Sequence, residues 1–203
     1  MLTRIFKTHR HEMDCPLGDI THLDQLLVAA LVRLDHVTFC HSVRTQKLAL
    51  IIGKKVGLSS SELLSVSLGA LLHDIGKGQI PLHILEKKEP LTSEEWKLIQ
   101  SHPVRGYHYL KQSDLSDVVK KIVLNHHVWM NGEAGYPLGS NQQIPCPLTQ
   151  IVTIADVIDA MTSPRPYRSA LSLLQCMDYL AGRAGSQFNP VLVEVFRELI
   201  SDD

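Results

Sequence analysis

A chain of 203 residues with 44% hydrophobic and 20% charged side chains has the size and apolar content of one soluble globular domain with a real core. Its net charge of −1 excludes the global basic field of a duplex nucleic-acid binder and leaves only local basic pockets. Cys15, Cys40, Cys146 and Cys176 are widely spaced with no C-x-x-C pair, which excludes a zinc ribbon and a disulfide framework and fits the reduced thiols of a cytoplasmic protein.

In chain order, residues 1–18 read as a polar, irregular tail, whose cluster of His9, His11, Glu12, Asp14 and Cys15 has no helix to fix it as a ligand set. Ile20, Leu23, Leu27, Leu31 and Leu34 recur at three- and four-residue steps, the pattern of an amphipathic helix over 19–34 that packs on the domain behind it. A division into a tail and helix at 1–35 and a main domain at 36–203 is expected. The next helix spans about 37–56, with Gly57 as its stop. Ser59 or Ser60 with Glu62 caps the helix that follows, which runs into His73-Asp74-Ile75-Gly76-Lys77. A loop through Ile80-Pro81 and a short turn precede a second capping box, Thr92 with Glu95. That helix reaches His102-Pro103, where the proline opens another, extending to Leu110. Helices over about 115–126, 147–162, 171–182 and 190–201 complete an all-α series, and the Gly-, Asn-, Gln- and Pro-rich stretch 127–147 reads as a long functional loop. No signal segment and no apolar run of membrane-spanning length is visible, so membrane insertion is not expected.

Eleven histidines are unusual, and several are stranded with carboxylates on apolar helices. His41 sits in mid-helix; His73, His102, His126 and His127 fall at helix ends, as does Asp74; Asp156 interrupts Ile151–Ile158. Alone, His73-Asp74 reads as a solvent-facing helix end. Together, five histidines and two aspartates form an imidazole and carboxylate set suited to first-row divalent metals. Adjacent histidines on a continuing helix point about 100° apart, which serves two neighbouring metals better than one. Asp74 is then the natural bridge between them. Two such ions are the usual clamp for phosphate-ester cleavage, activating a bridging hydroxide, and Lys77 would add positive charge at the phosphorus.

The ordered series His41-Ser42, His73-Asp74-Ile75-Gly76-Lys77, His102-Pro103, His126-His127, Gly135-Tyr136-Pro137, Asp156 to Thr162, Arg165-Pro166-Tyr167-Arg168 and Phe188-Asn189-Pro190 resembles the HD-GYP group of metal-dependent phosphohydrolases. The resemblance covers residues 37–199. It implies a single helical bundle with a long signature loop, and hydrolysis of cyclic di-GMP to linear pGpG or onward to GMP. The implied metal ligands are His41, His73, Asp74, His102, His126, His127 and Asp156, with Asp74 and Lys77 at the chemistry. Lys77, Arg165, Arg168, Gly135, Tyr136 and Pro137 are the implied substrate contacts. Asp159, one turn from Asp156, is expected to anchor the signature loop, with a structural salt bridge as the alternative. The implied cofactors are two divalent ions, iron or manganese first, with zinc, nickel or magnesium also compatible. The implied partners are a cyclic dinucleotide substrate and, left open, a second copy of the chain or a signalling protein.

The departures from the family pattern concern the loop and the ion count. Val37 stands where three-metal members carry glutamate, and Asp35 and His36 are out of register, so two metals are expected. Val128 and Asn131 replace the usual glutamate and aspartate, one residue is inserted before Gly135, Arg168 stands where many members have lysine, and Asn189 replaces an aspartate. These changes leave two alternatives to cyclic di-GMP hydrolysis: another cyclic dinucleotide or nucleotide as substrate, or a sensing module with weak or lost catalysis. Of the tryptophans, Trp96 is expected in the core, and Trp129, in the signature loop, is a candidate to line the substrate pocket. His83 and His108 are expected at the surface or behind the site, and His22 and His36 in solvent.

Overall fold

The computed structural model describes residues 25–137, 144–164 and 169–201. The described residues are helical throughout, with two isolated β-bridges as their only extended pairings. Helix α1 covers Gln25–Val32, α2 His36–Lys55 and α3 Ser60–Leu72, followed by a 3-10 turn at Ile75–Gln79. A one-turn α4 at Leu82–Leu85 leads to α5 (Ser93–Gln100), α6 (His102–Leu110) and α7 (Asp117–Asn125). After the signature loop come α8 (Pro147–Thr162), α9 (Leu173–Ala181) and α10 (Pro190–Ser201). Among the described residues, no helix is long and apolar enough to cross a membrane.

Local chemistry sets the starts. Asp35 caps α2 by accepting the Thr38 amide, and Ser59 with Glu62, Thr92 with Glu95 and Ser172 with Gln175 make reciprocal capping boxes. Pro147 opens α8 at a position where a missing N–H costs nothing.

The C-terminal half of α3 is apolar all round and therefore buried all round, between α2, α7 and α8. It joins two apolar clusters. One gathers Leu48, Ile52, Val66, Ala70, Ile122, Ile154, Ile158, Phe188 and Phe196; the other gathers Leu27, Leu31, Val43, Leu68, Leu71, Leu72, Ile75 and Val123. Leu27 and Leu31 place α1 in that second cluster.

Two expectations are corrected here. Trp96 is not core: it is 47% exposed, and no residue of α5 is buried. Helix α5 lies on the outside of the bundle, where its apolar face is only partly covered. The helix expected over about 171–182 starts at Leu173, because Ser172 takes the cap. His36, His83 and His108 are exposed as expected. The expected tail and His22 lie outside the described residues.

Candidate metal centre

The last turn of a helix leaves its carbonyls without intrahelical donors. At three helix ends a histidine fills that need with its own ring. His73 Nδ1 lies 2.7 Å from the Ala70 carbonyl, His102 Nδ1 2.8 Å from the Ile99 carbonyl, and His126 Nδ1 2.9 Å from the Val123 carbonyl. A carbonyl can only accept, so each Nδ1 carries the proton and each Nε2 presents a lone pair. His41, in mid-α2, turns its Nε2 inward differently, by donating Nδ1–H to Asp159 Oδ2 at 2.7 Å.

All four Nε2 atoms point into one buried space. His73, His126 and Asp74 are 0%, 0% and 1% exposed, and His102 1%. The rings neighbour one another in sequence: His41 and His73 centroids lie 5.2 Å apart, His73 and His126 5.0 Å, and His102 and His127 5.1 Å. His102 Nε2 and His126 Nε2 sit 3.2 Å apart. Two lone pairs at that distance repel unless a cation lies near both. His73 Nε2 and Asp74 Oδ1 are buried without a hydrogen-bond partner of correct geometry. Unpartnered acceptors in a dry interior are costly, and a divalent ion satisfies them all. The donor set fits a metal centre.

The ligand atoms divide into overlapping groups whose members lie within 4.8 Å of one another: His41, His73 and Asp74; His73, His126 and Asp156; and His102, His126 and His127. Asp74 spans the division. Its Oδ1 is 3.1 Å from His102 Nε2, while its Oδ2 is 3.4 Å from His73 Nε2 and 3.9 Å from His41 Nε2. Asp156 Oδ1 is 2.9 Å from His41 Nε2, and its Oδ2 is 4.0 Å from His127 Nδ1. Lys77 donates to Asp74 Oδ2 at 2.6 Å.

Burial opposes ionisation of Asp74, yet Lys77, His73 and His102 hold its carboxyl well below the ordinary range. Asp156 is likewise held down against burial by His41, His73 and His127. Burial would deprotonate His41, but its hydrogen bonds to Asp156 and Asp159 raise it to about 9. His126 is pushed down by burial and by its imidazole neighbours, and His127 falls to about 3, chiefly by burial. Both are therefore neutral, the form that binds metal.

The signature loop folds back against this cluster. Val128 pairs with Gly135, the Tyr136 amide donates to the His127 carbonyl, and the Tyr136 ring lies 4.5 Å from the His127 ring. The Tyr136-Pro137 bond is cis. Gly135 has φ +91, and a Cβ there would stand 2.0 Å from the His127 carbonyl oxygen, so only glycine lets the loop close over the site. The loop's far side is held by Met130 and Asn131 amides donating to the Gln187 and Ser186 carbonyls.

Asp159, expected to anchor this loop or else to form a structural salt bridge, has its carboxylate bonded by His41, Arg44 and Ser163 among the described residues. Val128, where the pattern has glutamate, is buried, and Asn131 bonds Glu133. Trp129 is half-buried. Asp35 is a helix cap, and Val37 is 59% exposed. Arg165 and Arg168 lie outside the described residues. Sequence reasoning missed Arg44, although its spacing of three from His41 on one helix was the available signal.

The HD domain family profile matches residues 26–192. The chain is 34% identical over 171 residues to the cyclic di-GMP phosphodiesterase response regulator RpfG of Xanthomonas campestris, covering 83% of this chain and 45% of that protein. It is 33% identical over 188 residues to the 3′3′-cGAMP-specific phosphodiesterase 1 of Vibrio cholerae, covering 90% of this chain and 43% of that protein. The chain thus spans about half the length of these curated relatives. Among solved structures, Bd1817, an HDG"Y"P protein from Bdellovibrio bacteriovorus, superposes with a TM-score of 0.66 at 21% identity, over 80% of this chain and 52% of that one. With the matched family profile, the helical bundle and the His/Asp centre in agreement, the chain belongs to the HD-domain family and is of the HD-GYP type.

Proposed function

We propose that this chain is a two-metal phosphodiesterase that hydrolyses a cyclic dinucleotide, with cyclic di-GMP the leading substrate and linear pGpG or GMP the product. The observation that carries the reading is the convergence of four Nε2 atoms and two buried carboxylates on one space. One ion would be held by His41, His73, Asp74 and Asp156, the other by Asp74, His102, His126 and His127. Iron or manganese suits these donors best, and zinc, nickel or magnesium are compatible. When bound, the ions supply Lewis-acid activation of a phosphoryl oxygen and of water.

The chain's own residues do the rest. The Lys77 ammonium lies beside Asp74 at the edge of the cluster and carries positive charge to where the transferred phosphorus gains negative charge. Tyr136, on the cis-Pro loop, walls the site beside His127 and limits water entry. Arg165 and Arg168 are proposed to grip phosphate or base edges, a task for a planar guanidinium. Gly135 and Pro137 shape the rim on which the dinucleotide rests. Cleavage then joins the oxygen of a water molecule to phosphorus and breaks the P–O3′ bond, the 3′ oxygen leaving as a hydroxyl with a proton from that water.

The loop favours a second reading, in which a different cyclic dinucleotide is preferred. Val128 and Asn131 stand where the family pattern has a glutamate and an aspartate, which takes two carboxylates out of the loop; Val128 is buried and Asn131 bonds Glu133. The relatives named above include both a cyclic di-GMP and a 3′3′-cGAMP phosphodiesterase. A turnover panel of cyclic di-GMP, 3′3′-cGAMP and cyclic di-AMP, with manganese and with iron(II), decides. Fastest cleavage of cyclic di-GMP is expected; faster cleavage of another dinucleotide transfers the assignment to it. No cleavage of any, by chain holding two ions, sinks the enzymatic reading.

Metal uptake should depend on pH in a defined sense. His41 is raised from 6.5 to about 9 in the metal-free chain, and it must lose its proton to coordinate. Its protonated form stabilises the metal-free fold most below 6.5, and that contribution is lost as pH rises through about 9. Apparent affinity for the ion at His41 therefore rises across that window, by up to about tenfold per pH unit for one released proton. Calorimetric titration in buffers of different ionisation enthalpy measures both the slope and the proton count; a flat profile would contradict the assignment of His41.

A further inference from the structure

His41 differs from the other three buried histidines in its location. His73, His102 and His126 sit at helix ends, where spare carbonyls hold Nδ1. His41 lies in the interior of α2, where the carbonyls are already engaged in the helix. Its Nδ1 needs a partner from outside the helix, and α8 supplies one. Asp156 and Asp159 are three apart on α8, so both face α2, and His41 stands between them. Nε2 meets Asp156 Oδ1 at 2.9 Å, and Nδ1 meets Asp159 Oδ2 at 2.7 Å.

Asp159 is 1% exposed and cannot remain charged there without compensation. Arg44, three residues after His41, closes a fork on it: Nε to Oδ1 at 2.7 Å and Nη2 to Oδ2 at 3.0 Å. Ser163 Oγ adds a bond to Oδ1 at 3.3 Å. Both carboxylate oxygens are thereby occupied, on the side of His41 away from the other imidazoles. Asp159 is no ligand; it is what fixes the ligand. The fork also fixes the carboxylate plane, because two parallel N–H···O bonds leave it no rotation.

We propose that Arg44 and Asp159 are a positioning pair that locks His41 as its Nδ1–H tautomer, and that they set the affinity of the ion held by His41, His73, Asp74 and Asp156 without setting that of the ion at His102, His126 and His127. The inference rests on the two-metal reading above. The full chain, stripped with chelator under reducing, anaerobic conditions, is titrated with manganese(II) by calorimetry. Wild type gives two binding events, and His102→Ala identifies the event that belongs to the other ion. Asp159→Asn and Arg44→Gln weaken the remaining event by about ten- to a hundredfold, the usual cost of removing a group that orients a metal-bound histidine. Arg44→Lys falls between, since a point charge cannot reproduce the fork. A downfield Nδ1–H proton resonance assigned to His41 is present in zinc-loaded wild type, where the ring is neutral, and lost in Asp159→Asn.

Equal weakening of both events overturns the selective role, and unchanged affinity in both variants overturns the pair altogether. Should Asp159→Asn fail to fold, Arg44→Gln and the wild-type resonance carry the test, and absence of that resonance overturns the tautomer lock. Wild type that binds fewer than two ions sinks the two-metal reading instead, so the two failures are told apart.

Discussion

Replacing Asp74 by asparagine is expected to abolish metal retention at both positions while leaving the helices in place. The carboxylate offers a close oxygen to each side: Oδ1 toward His102 at 3.1 Å, and Oδ2 toward His73 at 3.4 Å. An amide of the same shape keeps one oxygen and turns an NH₂ donor toward the other set of lone pairs. It thus deletes a ligand on one side and removes the negative charge that favours both ions. Changing a group that merely orients a ligand costs about ten- to a hundredfold in affinity, so loss of a shared ligand should exceed about a hundredfold. The fold should tolerate the change. Lys77, whose ammonium loses its partner, is 20% exposed and can turn to solvent, and the amide is neutral in a buried place. Metal content per chain after anaerobic purification, together with far-UV circular dichroism, measures this outcome. Two ions per chain in Asp74→Asn, with turnover intact, would remove Asp74 from the centre of the site.

Most of the helix list was legible because its signals are local. The spans of α8 and α10 follow from an opening proline and an unbroken apolar period, and the capping boxes at Ser59 and Thr92 are four-residue patterns. The site was legible as a set of residue types at helix ends, which gives the ligands but not their distances. What the chain order hides is what faces what. An amphipathic pattern shows that Trp96 has an apolar face around it, but whether another element covers that face is a tertiary matter, and α5 is left at the edge. Asp159 has the same spacing whether it holds the loop, a metal or a salt bridge. Its partner His41 is 118 residues away, and only packing of α2 on α8 selects it. The anchoring of His73, His102 and His126 lay between these extremes. Three histidines at predicted helix ends and the spare carbonyls of those ends were both in view, and joining them yields the Nε2-inward geometry.

Gly76 lies in the 3-10 turn after α3, and its packing gives it a structural role. A Cβ added at Gly76 would lie 2.0 Å from the His102 carbonyl oxygen and 2.6 Å from the Gly106 amide nitrogen. The 3-10 turn and α6 therefore touch backbone to backbone, with Gly106 at the other side of the contact. Neither obstacle is a flexible side chain that could turn away. Overpacking a core costs about 1–3 kcal/mol when side chains can adjust, and with backbone as the obstacle Gly76→Ala should cost at least about 3 kcal/mol. The wedge acts on the site as well. His73 and Asp74 lead into the turn and His102 opens α6, so separating the two elements pulls Asp74 Oδ1 away from His102 Nε2. Affinity for the ion at His102, His126 and His127 should fall more than that for the ion at His41. Gly78 is the control in the same turn: its added Cβ meets only Leu34 Cδ2, at 3.7 Å, an ordinary contact. Gly78→Ala should thus lie within about 1 kcal/mol of wild type, with some gain from a less flexible unfolded chain. Urea unfolding of the two metal-free variants, followed by manganese titration, reads both effects. Equal stability of the two would mean that the turn and α6 can part without cost, and that the close contact does not hold the two halves of the centre together.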